Sequence, residues 1–199
     1  MNEEDIKQGI LESSEILRRT KIAIPEFQFL GSKSLEEKCV PVERNEFGQP
    51  EIERMARKMI DVLKKCQKMN KIGRGLAANQ IGLKKEMIVA WLGEGEPEVI
   101  INPKVLDLRG KGSSWECCLS SATLIGQVIR PWEGTFEYRD VDGGKHMLKK
   151  ANPGQTRLML HEIDHLKGKL CVEKYEPGTM RYSLGVEDIK SASKLERIE

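Results

Sequence analysis

The chain lacks an apolar run long enough to span a bilayer, so a helical membrane anchor does not organise it. Its opening, Met1-Asn2-Glu3-Glu4-Asp5, lacks the basic start and apolar core of a secretory signal. It also lacks the Arg-rich, acid-poor character of a transit peptide, and the expectation is a cytoplasmic protein. No charge dominates: 33 Lys and Arg face 31 Asp and Glu, and no basic segment stands apart, so charge offers no direct nucleic-acid site. The evenly paired cysteines of a disulfide framework are missing too. The five present (Cys39, Cys66, Cys117, Cys118 and Cys171) are odd in number and two are adjacent, which reads as reduced thiols. There is no internal repeat and no low-complexity tract. Histidine is scarce at three residues, so the place of each one carries information.

What is present suits a single domain: 199 residues, 39% hydrophobic and 32% charged, are enough to bury a real core. Residues 1–175 read as one catalytic domain with an N-terminal helix over 3–19, whose stripe is Ile6, Ile10 and Leu17. After a loop-rich stretch, Pro50 starts a second helix with Ile52, Met55, Met59, Val62, Cys66 and Met69 on one face, and Gly73 ends it. Residues 86–92, 98–101 and 135–139 read as strands, with a hairpin turn at Asp142-Gly143-Gly144 leading into 146–149. A third helix runs over 158–166, beginning near Gly154 or Gln155, and 169–173 reads as a short strand. Residues 176–199 form a polar tail, either with a short helix around 187–195 or without fixed structure. Strands, hairpins and helices in this order give an α+β fold, with mixed or antiparallel sheets, and not alternating βαβ units.

The strongest motif is His161-Glu162-Ile163-Asp164-His165 on that third helix. Histidines four residues apart share a helix face and can chelate one metal ion, with Glu162 beside them to move protons. A catalytic site needs a third protein ligand and an open position. His146, a carboxylate and Cys118 all qualify, and the residues alone leave Cys118 and His146 level. Cys118 stands in Glu116-Cys117-Cys118-Leu119-Ser120, after a Gly- and Ser-containing turn. A third motif, Gly73-Arg74-Gly75-Leu76-Ala77-Ala78-Asn79-Gln80, combines glycines that admit a close backbone approach with an amide donor at Gln80.

Together these three motifs, in this order and spacing, resemble those of peptide deformylases: G-x-G-L-A-A-x-Q, E-G-C-L-S and Q-H-E-x-D-H-L. The resemblance covers roughly residues 22–175. It implies a deformylase-like fold built around the metal-binding helix, and hydrolysis of the N-formyl group from the terminal methionine of nascent chains. It implies one divalent metal on Cys118, His161 and His165: ferrous iron first, with zinc, nickel or cobalt as substitutes. It further implies that Glu162 shuttles the proton, that Gln80 and the Leu119 N–H bind the oxyanion, and that Gly75 and Leu76 meet the substrate through their backbone. Leu158 would wall an apolar methionine pocket, while Glu116 and Arg130 form a supporting ion pair and Asp164 orients an imidazole. The implied partner is a formyl-methionyl peptide or nascent chain, with the ribosome a candidate and a monomer the working state. Cys117, Leu160 and Ser121-Ala122-Thr123 depart from the family's Gly, Gln and V-P-G. The rival readings are an HExxH zinc peptidase and a deformylase-like protein that binds without turnover.

Overall fold

The structure, a computed structural model, describes residues 2–185, 187–189 and 194–198. Five antiparallel strands form one sheet in the order β1 (Gly75–Ala77), β2 (Met87–Ala90), β3 (Glu98–Arg109), β6 (Glu133–Arg139) and β7 (Lys145–Ala151). A four-stranded sheet has the order β8 (Arg181–Tyr182), β5 (Leu124–Arg130), β4 (Gly112–Cys117) and β9 (Glu196–Arg197). The helices are α1 (Glu3–Ala23), α2 (Lys33–Glu36), α3 (Pro50–Asn70) and α4 (Pro153–Leu166), so the fold is α+β. No helix among the described residues is long and apolar enough to cross a membrane.

Successive side chains of a strand point to opposite faces, and the five-stranded sheet uses both. Leu76, Met87, Val89 and Ile101 join the core that α3 covers with Ile52, Met59, Leu63 and Cys66. Ala77, Ile88, Ala90, Ile100 and Phe136 join the core covered by Met159, Ile163 and Leu166 of α4. The helix carrying the histidine motif is therefore clamped against a sheet along one stripe and presents its other side to the four-stranded sheet. Its start is fixed by Pro153 at the first turn and by a capping box in which Asn152 and Gln155 exchange backbone-to-side-chain bonds of 2.9 and 3.0 Å.

Several sequence expectations need correction. Helix α1 exists, but Ile6 and Ile10 are exposed, and its buried stripe is Gly9, Ser13, Ile16 and Thr20. β3 continues well past residue 101. A register shift around Asn102-Pro103 carries the ladder over a residue that cannot donate to it, while the Asn102 side chain bonds both backbone groups of Val42. The Gly- and Ser-containing stretch before Cys118 is strand β4, paired with β5. Residues 169–173 are not a strand: Cys171–Lys174 is a 3₁₀ turn, closed by the Glu173 carboxylate on the Leu170 N–H at 2.7 Å. In the tail, residues 187–189 are helical and 190–193 lie outside the described residues. Arg181–Tyr182 and Glu196–Arg197 pair with the four-stranded sheet, and Ile189 is buried in the α3 core.

Candidate metal centre

Cys118 follows the end of β4 and caps a 3₁₀ turn, and His161 and His165 sit one turn apart on α4. Ligand atoms of the three lie within 4.8 Å of one another, with Cys118 Sγ 3.2 Å from His165 Nε2. His146 lies elsewhere: it is exposed on β7, bonded to Asp140 at 2.7 Å and stacked on Tyr138. The structure thus separates the two third-ligand candidates that the sequence left level. Cys117, one residue away, is not in the cluster, and burial pushes its thiol up to about 12.

The polar surroundings tie the cluster to both sheets. Arg130 on β5 makes a two-pronged contact with Glu116 on β4 (2.6 and 3.0 Å) and reaches Asp164 on α4 (2.8 Å). Glu116 Oε2 meets His161 Nδ1 at 3.1 Å, which leaves Nε2 of that ring for a ligand. Burial alone would raise the Glu116 carboxyl, but the His161 hydrogen bond and the Arg130 charge outweigh it and hold the group well below the usual carboxylate range. Asp164 takes a different place from the one expected: it bonds Arg130 and Lys174, and Glu116 is the carboxylate that meets an imidazole. Asn79 Nδ2 fixes the backbone of α4 through the His165 carbonyl at 2.6 Å.

Glu162 points into the space beside the cluster. Burial, the first cause, raises its carboxyl to about 7, and its Oε2 has no hydrogen-bond partner among the described residues. A Cβ at Gly75 would lie 2.5 Å from Glu162 Oε1, so only glycine lets β1 pass so close. Gln80 is pinned through Oε1 to the Ala77 N–H (2.9 Å), and its Nε2 faces Ser120 Oγ (3.0 Å) and Cys118 Sγ (3.4 Å). A cavity of about 460 Å³ opens here and is lined by Gly75, Gln80, Cys118, Leu119, Leu158, His161 and Glu162. Leu76 does not line it; its side chain is fully buried in the α3 core. Its strand, β1, is an edge of the five-stranded sheet.

Sequence reasoning missed two neighbours. Cys171 is a neighbour of Cys118, and the interaction of the two thiols pushes Cys118 up and Cys171 down. Tyr175 Oη lies 3.5 Å from Cys171 Sγ and donates to the carbonyl oxygen of Glu116 (3.0 Å) or Leu124 (3.1 Å). Neither belongs to a motif, and no periodicity marks them. The donor set suits a cation: a thiol, two imidazoles, and buried Glu162 Oε2 and His165 Nδ1 without partners among the described residues.

The chain matches the family model for "Polypeptide deformylase" over residues 24–180. It is 34% identical to a peptide deformylase of Desulfitobacterium hafniense over 160 residues, 80% of this chain and 100% of that protein. It is 39% identical to one of Chlorobium luteolum over 113 residues, 54% of this chain, and this match spans only 59% of that relative's length. Among solved structures, a Synechococcus elongatus peptide deformylase in complex with actinonin is 29% identical, with a TM-score of 0.67. That likeness covers 83% of this chain and 84% of the solved one.

Proposed function

The chain belongs to the peptide deformylase family of hydrolases, and we propose that it removes the N-formyl group from the terminal methionine of nascent polypeptides, using one divalent metal ion held by Cys118, His161 and His165. The observation that carries this reading is the convergence of those three ligand atoms within 4.8 Å beside a buried Glu162 whose Oε2 has no partner among the described residues. A thiolate and two imidazoles suit ferrous iron, with zinc, nickel or cobalt as substitutes. Bound there, such an ion acts as a Lewis acid and makes water acidic enough to attack near neutral pH.

The chain's own residues supply the rest. Glu162, poised near neutrality, takes a proton from the attacking water and returns it to the departing amine. Gln80 Nε2 and the Leu119 N–H donate to the oxygen that gains charge at the formyl carbon. The C–N bond breaks to give formate and a free amino terminus. The open edge of β1 at Gly75 and Leu76 accepts the peptide as an added strand, with Leu158 on the cavity wall. Glu116 orients His161, Arg130 holds Glu116, and Asp164 holds Arg130. The partner is a formylated peptide or nascent chain, met in the cytoplasm by a monomer, with the ribosome as the place of encounter.

The test is metal analysis of anaerobically purified protein, followed by three substrates: a formyl-Met peptide, an acetyl-Met peptide and casein. Formate from the first alone supports the reading. Casein cleavage would favour the peptidase rival, and a fully loaded protein inert on all three would be a binding protein.

A further inference from the structure

The pocket expected to be apolar is basic along one side. Arg74, in the loop between α3 and β1, and Arg157, in the second turn of α4, both line the cavity that holds Glu162. Arg157 precedes His161 by four residues, one turn along the same helix face, or about 6 Å along the axis. A side-chain atom at Gly154 would lie 3.9 Å from Arg74 Nη1, so the Arg74 guanidinium reaches over the first turn of α4. Burial and the charge of Arg157 both push Arg74 down, as two cations held close without a counter-ion require.

Their partners are what is missing. Arg157 Nε is buried with no hydrogen-bond partner among the described residues. The bond Arg74 makes is to the Trp91 carbonyl at 3.1 Å. Among the described residues, no carboxylate pairs with either guanidinium, and Glu162, at the reacting end, is the one acid on the cavity wall. Lys71 adds a third positive charge to the lining, and the N-terminal end of α4 adds partial positive charge. Like charges gathered in a half-enclosed cavity cost free energy that a bound anion recovers. A guanidinium pair matches the two oxygens of a carboxylate.

We propose that Arg74 and Arg157 form a specificity site for a carboxylate carried by the substrate, so that the favoured formyl peptide bears an acidic side chain in its first two residues. This rests on the deformylase reading of the same cavity. One turn of helix separates Arg157 from the reacting end, a span that one or two extended residues of about 3.3 Å each can bridge. The apolar walls at Ile72, Leu119 and Leu158 accept the methylenes of the same substrate.

The experiment compares kcat/KM for formate release from three C-terminally amidated peptides: formyl-Met-Ala-Ala, formyl-Met-Glu-Ala and formyl-Glu-Ala-Ala. Which acidic peptide gains assigns the carboxylate to the first or second residue, and a formyl-Met-Ala free acid tests a terminal carboxylate separately. The expected result is about a tenfold preference for an acidic over the neutral peptide, the size of one charge-assisted contact. That ratio should collapse towards one in the Arg74→Gln/Arg157→Gln protein and survive in Arg157→Lys. In the unaltered protein it should shrink between about 0.05 and 0.5 M salt, a reading that needs no variant to fold. Calorimetric binding of the products Met-Glu-Ala, Glu-Ala-Ala and Met-Ala-Ala should show the same order. Equal or poorer turnover of all the acidic peptides by the unaltered protein overturns the carboxylate site and leaves the deformylase reading standing. Absence of formate from every peptide with loaded metal overturns the deformylase reading, and calorimetry then still decides whether the arginines bind a carboxylate.

Discussion

At the scale of single residues, the site depends on one close approach. Glu162 is held against the backbone of Gly75, with its second oxygen buried and without a partner among the described residues. Glu162→Gln keeps the shape and loses the proton shuttle. We expect unchanged metal content by elemental analysis and a kcat about 10²- to 10⁴-fold lower; a variant within a few-fold of the parent would assign the proton to another group. Gly75→Ala attacks the same carboxylate from the other side. Its methyl group has no room beside Glu162 Oε1, so Glu162 must move. A displacement of about 1 Å costs about 10²-fold in rate. Formate release together with metal content separates this from a folding defect: a Gly75→Ala protein that is loaded and fully active would show that β1 yields and Glu162 does not.

At the scale of elements, the sequence was legible where a face is purely apolar and misleading where it is not. α3 buries a stripe of Ile52, Met59, Val62 and Cys66, and that spacing is readable. α1 buries Gly9, Ser13 and Thr20 beside Ile16, small and polar residues that no apolar periodicity marks. The reason lies in Ser121-Ala122-Thr123, where the chain departs from its family. Thr123 is fully buried, its hydroxyl bonds Ser13 Oγ and the Gly9 carbonyl (3.3 Å), and its N–H donates to Ser13 Oγ (3.4 Å). Gly9 also lies against Tyr182, where a Cβ would come within 2.7 Å of the Tyr182 Cβ. Thr123→Val keeps the volume and removes the hydroxyl that bonds Ser13 Oγ and the Gly9 carbonyl, so it should lower unfolding free energy by about 1–3 kcal/mol. Urea denaturation measures this. An unchanged midpoint would mean that α1 docks without help from the Thr123 hydroxyl. Strands β4 and β5 escaped notice for a related reason: Gly112-Ser113-Ser114 looks like a turn, and its strand character comes from pairing with residues 128–130.

At the scale of the whole molecule, the cluster of Cys118, His161 and His165 was legible because short motifs each carry chemistry, whereas Cys171, Tyr175, Arg74 and Arg157 become neighbours only when separate elements converge. The same holds for the tie that joins the two sheets. Glu116 and Arg130 belong to the four-stranded sheet, while His161 and Asp164 belong to the helix clamped on the five-stranded one, and the four side chains form one buried network. Breaking it by Arg130→Met leaves Glu116 without its cation and Asp164 with Lys174 alone, and should cost about 3–5 kcal/mol at neutral pH. The pH dependence tests the cause. In the folded protein the Glu116 carboxyl is held below its ordinary value, so the unfolded chain takes up the proton first as pH falls. The stabilisation is therefore complete above about pH 4.3, the ordinary glutamate value, and is lost below it as pH drops towards the depressed one. In Arg130→Met only the His161 hydrogen bond still holds the carboxyl down against burial, so it protonates at a higher pH than in the parent, and that protonation relieves the buried charge. Chemical unfolding of both proteins, stripped of metal with a chelator so that ligand loss contributes nothing, should give a gap that is widest near pH 7 and narrows steadily below about pH 4.3. A gap that stays constant down to pH 3 would mean that Arg130 stabilises the fold by packing its stem, and that its charge on Glu116 does not hold the sheets together.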